Sequence, residues 1–247
     1  MEQNIYDNKE FFEGYKNLRS NKDEISSNDL IEIPQLFELI GDVKDKEILD
    51  LGCGAGDHDR KLEQLGAKYI LGIDISKKML EEAKKNTDSN NIEYKLLSMN
   101  DIDKLNKNFD LVVSSLAIHY IEDYDGLCKK VYNLLNDGGY FIFSHGHPMD
   151  SATILKDYED KYVIIKDKKY FLLSDYNNEG KRTSHWFIDG VETYHRNMSH
   201  LINGLIDAGF IIERVNESYA TEEAIRIKPK LKEQKDHSYY VYIKAKK

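Results

Sequence analysis

Glu47 to Asp74 reads EILDLGCGAGDHDRKLEQLGAKYILGID, and the order of its parts decides the fold. Ile48-Leu49-Asp50-Leu51 is a short, mostly apolar run bounded by glycine, the pattern of a buried strand. It breaks into Gly52-Cys53-Gly54-Ala55-Gly56, where three glycines in five residues open backbone angles closed to other residues and let a ligand come close. Asp57 to Leu65 has a helical pattern, with Asp57 placed to cap or charge its start and Gly66 to end it. Tyr69 to Ile73 is a second apolar strand that stops at an acid, Asp74. Strand, glycine turn, helix, strand and acid make a mononucleotide-binding βαβ half, with its ligand outside the carboxyl ends of the strands.

The glycine spacing decides which nucleotide. Dinucleotide loops run G-x-G-x-x-G, so that a pyrophosphate meets the helix N-terminus. Gly52, Gly54 and Gly56 run G-x-G-x-G, one residue shorter, and Asp50 stands two positions before them. An acid at the loop mouth disfavours a phosphate and favours a cation. S-adenosylmethionine (SAM) carries a sulfonium, an ammonium and a ribose diol suited to Asp74. The segment resembles motif I and the following acidic strand end of the class I SAM-dependent methyltransferases. That resemblance implies an α/β fold, a Rossmann-like seven-stranded, mostly parallel sheet with helices on both faces and an antiparallel last strand. It also implies SAM as cofactor, with Asp50, Gly52, Cys53, Gly54 and Asp74 in its site and Ile75 packed on the adenine. Met79 either extends that wall or serves as ordinary core.

Three further passages carry the likeness. Phe109 to Ser115 (FDLVVSS) is a nearly continuous apolar strand, and Leu116 to Asp123 follows it as in this family, which places Ser115 and Leu116 beside the methyl donor. Leu134 to Phe143 (LLNDGGYFIF) resembles the family's turn and fifth strand, with Asn136-Asp137 in place of the usual pair. The strand from Phe210 to Val215 and a closing strand from His237 to Ile243 match the family's last antiparallel pair. One position departs. Many members carry an acid after the third strand, here Ile92 to Leu97, to accept from the adenine amine. This chain has Ser98 and Met99 there, with Asp101 as an alternative acid.

The chain of 247 residues suits one domain with an N-terminal lid, residues 1–33, and an inserted cap, residues 146–195. Phe11, Tyr15 and Leu18 fall at helical spacing in the lid, and Tyr15 and Arg19, one turn apart, are placed to meet the methionine end of SAM. A helix packed on the sheet edge is the alternative. The cap holds two β-rich runs, Tyr162 to Lys166 and Tyr170 to Ser174, then Trp186, Phe187 and an Asp189-Gly190 turn signal. It follows a strand whose carboxyl end faces the ligand, so it is expected to roof the acceptor; a surface elaboration or dimer patch is the alternative.

A net charge of −9 with a pI near 5.4 leaves no electrostatic footprint for a nucleic-acid backbone. Asn or Asp-Pro-Pro-Tyr, the mark of base-methylating relatives, is replaced by Ser114-Ser115-Leu116-Ala117. No run nears the roughly 18 apolar residues of a membrane span, and the first residues are polar and acidic. Two cysteines make no disulfide framework, so a reducing cytoplasm is the expected location.

Methyl transfer from a sulfonium needs alignment and exclusion of water, with a base only for some acceptors. Histidines are the candidates for such a base: His119 after the fourth strand, His145 and His147 after the fifth, and His195 before the last helix. SSLAIHY, His147-Pro148 and His195-Arg196 together resemble a small-molecule branch of the family, of type 11/12; His119 and His195 are the expected catalytic residues, and a hydrogen-bonded structural or rim role is the alternative for each histidine. His145-x-His147 with Asp150 has no convincing further ligand, so no metal is expected. The expected function is methyl transfer from SAM to an O, N or S atom of a small-molecule acceptor. A non-catalytic SAM-binding regulator and a nicotinamide-dependent oxidoreductase are the alternatives.

Overall fold

The computed structural model describes residues 2–20, 25–154 and 161–247. Residues 1 and 21–24 of the expected lid and 155–160 of the expected cap lie outside the described residues. The strands in chain order are β1 (Glu47–Leu51), β2 (Tyr69–Asp74), β3 (Ile92–Leu96), β4 (Phe109–Ser115) and β5 (Leu135–Gly146). They are followed by β6 (Tyr162–Ile165), β7 (Lys168–Phe171), β8 (Gly180–Trp186), β9 (Ile188–His195), β10 (Ile211–Glu217) and β11 (Tyr240–Lys246). Seven of them form one sheet in the order β10-β11-β5-β4-β1-β2-β3. β1 to β5 are parallel to their neighbours among one another, and β11 runs antiparallel to both β5 and β10.

Burial on both faces follows from the near-continuous apolar strands. Leu49, Leu71, Val112 and Phe141 face one layer, packed with Leu127 and Val131 of α5 (Tyr124–Leu134) and Leu201 and Leu205 of α7 (Met198–Ala208). Their sequence neighbours Ile48, Ile70, Leu111 and Ile142 face the other. That layer holds Leu36 of α2 (Ile33–Ile40), Leu62 of α3 (Asp57–Gln64) and Leu80 of α4 (Lys77–Lys85). Strand order turns back between β1 and β4, so the Gly52–Gly56 loop and the Ser115-Leu116 corner leave the sheet side by side. A cleft at that switch point is the expected ligand site.

The segments expected as lid and cap border that end. The lid carries α1 (Lys9–Ser20), and a π-helical turn, Asn28–Glu32, runs into α2. The cap holds the short α6 (Pro148–Ala152) and two hairpins, β6-β7 and β8-β9. The first hairpin turns through Lys166 and Asp167, both at positive φ (49° and 63°), the two-residue turn that suits strand twist. The second turns at Phe187 (φ 60°), with Trp186 opposite Ile188, and not at Asp189-Gly190. The local turn signal is overridden because Phe187 packs edge-to-face on Phe11 of α1, ring centroids 5.5 Å apart. β5 begins at Leu135, which pairs with Phe109 of β4, and after a register shift it resumes at Tyr140 opposite Leu111. The short helix α8 (Glu222–Ile227) precedes β11. Among the described residues no helix is long and apolar enough to cross a membrane.

Candidate active site

The glycine loop is stapled to the end of β2. Gly52 and Cys53 both donate their N–H to the Ile73 carbonyl, at 2.9 and 3.0 Å. Gly52 sits at φ 77°, and a Cβ on it would stand 2.5 Å from that of Ala117, so only glycine fits. Asp74 closes the loop: its carboxylate accepts from the N–H of Gly54 at 3.0 Å and of Ser76 at 2.7 Å. Burial pushes the Asp74 carboxyl above the usual range, and those two bonds pull it back.

Around this loop lies a cavity of ≈310 Å³. Asp74, Ile75, Met79, Leu97 and Met99 line one end, joined by Glu2 and Tyr6 from the N-terminal segment. Tyr15, Arg19, Ser115 and Gly54 line it towards α1, and with Cys53 they also border a smaller cavity of ≈290 Å³ beneath that helix. Arg19 is paired with Asp29 at 3.2 Å. The sequence-expected residues Tyr15, Arg19, Gly52, Gly54, Asp74, Ile75, Met79, Met99, Ser115 and Leu116 are thus brought together.

Asp50 and Ser98 are not in that wall. Asp50 is buried behind the loop against Asp59 of α3 and lines neither of these two cavities. Burial, and then the charge of Asp59 beside it, raise the Asp50 carboxyl well above its ordinary range, and burial raises that of Asp59. Its place as the ligand-facing acid is taken by Glu32, which sequence reasoning missed. Glu32 is fully buried in the cavity wall and accepts from the hydroxyls of Ser115 and Ser144, while its Oε2 has no partner. The only signal in the sequence was an acid inside the apolar run Leu30-Ile31-Glu32-Ile33. Ser98 stands one step behind the wall, its hydroxyl donating to the Glu2 carboxylate at 2.5 Å. Asp101 is spent on Lys104, at 2.8 Å. A buried, unpartnered carboxylate oxygen at one end and a pinned Asp74 at the other fit a ligand that carries a cation and a diol, as SAM does.

A second chamber, of ≈680 Å³, opens beside the first. Leu116, His119, Trp186 and Tyr240 line both. Leu116 holds a left-handed backbone (φ 48°), strain of the kind that gathers at functional sites, and its N–H is fixed by Ser144 Oγ at 3.1 Å. Burial, with His145 and Arg196 nearby, pushes the His119 imidazole down to about 3, so it is neutral. His145 is buried in the same chamber, its Nδ1 2.6 Å from the Gly146 carbonyl and its Nε2 unpartnered. His195 is different: Ser151 Oγ meets its Nδ1 at 2.8 Å, the Tyr176 carbonyl meets its Nε2 at 2.9 Å, and it lines neither chamber. His147 is bound to Glu217 at 3.0 Å and also lies outside. Among the described residues no three His, Cys, Asp or Glu side chains converge as a metal site.

The N-terminal segment straps the two chambers together. Gln3 pairs with the backbone of the second hairpin at Gly190 (2.8 Å) and Glu192 (2.9 Å). Asn4 donates to the Ile75 carbonyl at 2.9 Å. Asp7 caps α4 by accepting from Ser76 Oγ (2.8 Å) and the N–H of Lys78 (3.1 Å). Phe11 then packs edge-to-face on Trp186, centroids 5.1 Å apart.

Residues 49–143 match a family model described as a methyltransferase domain. A solved SAM-dependent methyltransferase from Mesorhizobium loti superposes with a TM-score of 0.80 at 35% identity, covering 87% of this chain and 97% of its own. A second solved chain, from Listeria monocytogenes, gives 0.77 at 36% identity with the same coverage, 87% and 97%. An uncharacterized protein of Haemophilus influenzae is 36% identical over 228 residues, 89% of this chain and 87% of its own.

Proposed function

The chain belongs to the class I SAM-dependent methyltransferases, and from that premise we propose that its acceptor is a small molecule, methylated on oxygen, nitrogen or sulfur beneath the cap. The observation that carries this reading is the ≈680 Å³ chamber, roofed by the β8-β9 hairpin and joined to the cofactor cavity at Leu116, His119, Trp186 and Tyr240. A net charge of −9 counts against nucleic acid as acceptor.

SAM, when bound, supplies a methyl group already activated on a sulfonium. The chain's residues then have to bind, align and keep out water. Asp74 holds the ribose diol, with its carboxylate fixed by two backbone N–H groups. Ile75, Met79, Leu97 and Met99 wall the base. Glu32 supplies a negative charge for the ammonium of the amino acid end, and Arg19, beside Tyr15, a positive one for its carboxylate. His119 is neutral and accepts a hydrogen bond from the acceptor, turning the acceptor's lone pair toward the donor. An imidazole held near 3 is a weak base, so its role is orientation more than proton removal. Trp186 and the lid above it exclude water. On this reading residues 1–33 are the lid, 146–195 the cap, and the protein works in the cytoplasm with Cys53 and Cys128 as free thiols.

Calorimetric titration with SAM, S-adenosylhomocysteine and NADH tests the donor half. A label-transfer assay on thiols, phenols, amines and carboxylic acids, run beside cell protein and nucleic acid, tests the acceptor half. SAM and its product are expected to bind, NADH not, and label to enter a small molecule. Label found in protein or nucleic acid would overturn the acceptor reading, and binding with no transfer to any of them would favour a regulatory SAM sensor.

A further inference from the structure

We propose that Glu2 is the residue that recognises the adenine amine of the cofactor, brought into the cavity by the N-terminal strap and oriented by Ser98. The proposal rests on the cavity around Asp74 being the cofactor site.

With the ribose at Asp74, the base lies toward the outer strand β3. The cavity there is walled by Ile75, Leu97 and Met99, which offer an aromatic ring faces and edges but no side-chain hydrogen bond. Adenine brings an exocyclic amine with two donor hydrogens, and a buried donor left without an acceptor is costly. Few side-chain acceptors stand at that end, and most are already used. The Asp74 oxygens hold the N–H groups of Gly54 and Ser76. The Gln3 amide is spent at both atoms on the second hairpin. Ser98 accepts from the N–H of Asn100 at 3.0 Å and gives its proton to Glu2. Asp101 is paired with Lys104 and lines no part of the cavity. Glu2 remains: it lines the cavity, and Ser98 holds its Oε2, which leaves Oε1 as the acceptor.

Its position does not depend on Ser98 alone. The next residues of the strap are tied to three other elements, Gln3 to β9, Asn4 to the end of β2 and Asp7 to the start of α4. The carboxylate is therefore delivered to a fixed place at the base end. Position 98 supports it as a hydroxyl, where a carboxylate on β3's own exit would repel it.

A purely structural clip is the rival role for Glu2, and ligand discrimination separates the two. The affinities of S-adenosylhomocysteine and of its analogue with hydrogen in place of the 6-amino group are measured calorimetrically for the wild type, Glu2→Ala and Ser98→Ala. A charge-assisted bond to the amine predicts a wild-type preference of roughly 10- to 100-fold for the amino compound. Glu2→Ala should bring that preference close to one while leaving affinity for the amine-free analogue within about twofold. Ser98→Ala should give an intermediate preference. If Glu2→Ala leaves the ratio of the two affinities unchanged, whether both weaken or neither does, the proposal is overturned and Glu2 is only a clip. If the wild type binds neither compound, the cofactor assignment fails and takes the proposal with it.

Discussion

Phe11→Ala should open the roof over both chambers while leaving the sheet folded. Phe11 is fully buried, with edge-to-face contacts to Tyr6 (4.9 Å), Trp186 (5.1 Å) and Phe187 (5.5 Å). Removing a buried phenylalanine costs about 3–5 kcal/mol, part of it in such ring pairs at roughly 0.5–1.5 kcal/mol each. The loss falls on a separate cluster, in which Ile5, Phe11 and Val191 are buried under Tyr15, Trp186 and Phe187, and not on either layer of the sheet. Local contacts of this kind open at less than the global unfolding energy, so a loss of that size makes the latched state a minor one. If the latched fraction drops to between a tenth and a hundredth, the apparent Kd for S-adenosylhomocysteine rises about 10- to 100-fold.

The chain supplies its own probe for this change. Trp186 is the one tryptophan in the sequence and lines both chambers, so its emission reports on the roof directly. In the variant the emission should shift to the red without ligand and return toward the wild-type position at saturating S-adenosylhomocysteine. The reasoning is refuted if Tm falls by several degrees while emission and Kd stay at wild-type values. Phe11 would then be core and nothing more.

Asp74→Ala should weaken S-adenosylhomocysteine binding by on the order of 1–3 kcal/mol, read by calorimetry, and unchanged affinity would reject the ribose assignment. Glu32→Gln keeps the two serine contacts and removes only the charge. It should lower affinity for SAM and for S-adenosylhomocysteine alike, by about tenfold, since both carry the ammonium, and unchanged affinity for both would place the charge away from the amino acid end. His119→Asn should lower kcat with cofactor affinity kept, whereas His195→Gln, which breaks bonds to Ser151 and Tyr176, should show in thermal stability. His145 is held at about 4 by burial, against an ordinary value near 6.5. Between those pH values the unfolded chain binds a proton that the folded chain does not, so its contribution to stability is lost as pH falls, by about 2 kcal/mol at about pH 5. Denaturant melts of His145→Gln should lack that slope, and an identical slope would assign it to other groups.

The cavity around the glycine loop was legible because its bonds are local. Strand, glycine turn, helix and Asp74 lie within Glu47 to Asp74, and their bonds run between residues close in sequence or on paired strands. The positions where the structure differs from the reading depended on how the loop packs, for Asp50, and on distant partners for the rest. Asp50 sits where an acid would meet the ligand, yet the fold turns it inward against Asp59, and the cavity charge comes from Glu32, 83 residues away from Ser115. Ser98 was placed at the adenine position by its strand, but its partner Glu2 is 96 residues distant, so nothing near it announced a carboxylate. Asp189-Gly190 is a sound turn signal by local rules and lost to Phe187, whose strained backbone is compensated by packing on α1.

Gln3, Phe11 and Phe187 make their long-range contacts in one place, where the N-terminal strap, α1 and the β8-β9 hairpin meet. On the proposed reading Glu2 reaches the base end of the cofactor cavity, while Gln3 holds the hairpin that roofs the acceptor chamber. Closing over the donor and shaping the acceptor chamber are therefore one packing event, carried by Phe11, Tyr15, Trp186 and Phe187. A substitution on the hairpin that widens the chamber for a larger acceptor also loosens the strap that carries Glu2. Acceptor range and cofactor affinity should then change together in such variants, although no residue of the glycine loop has been touched.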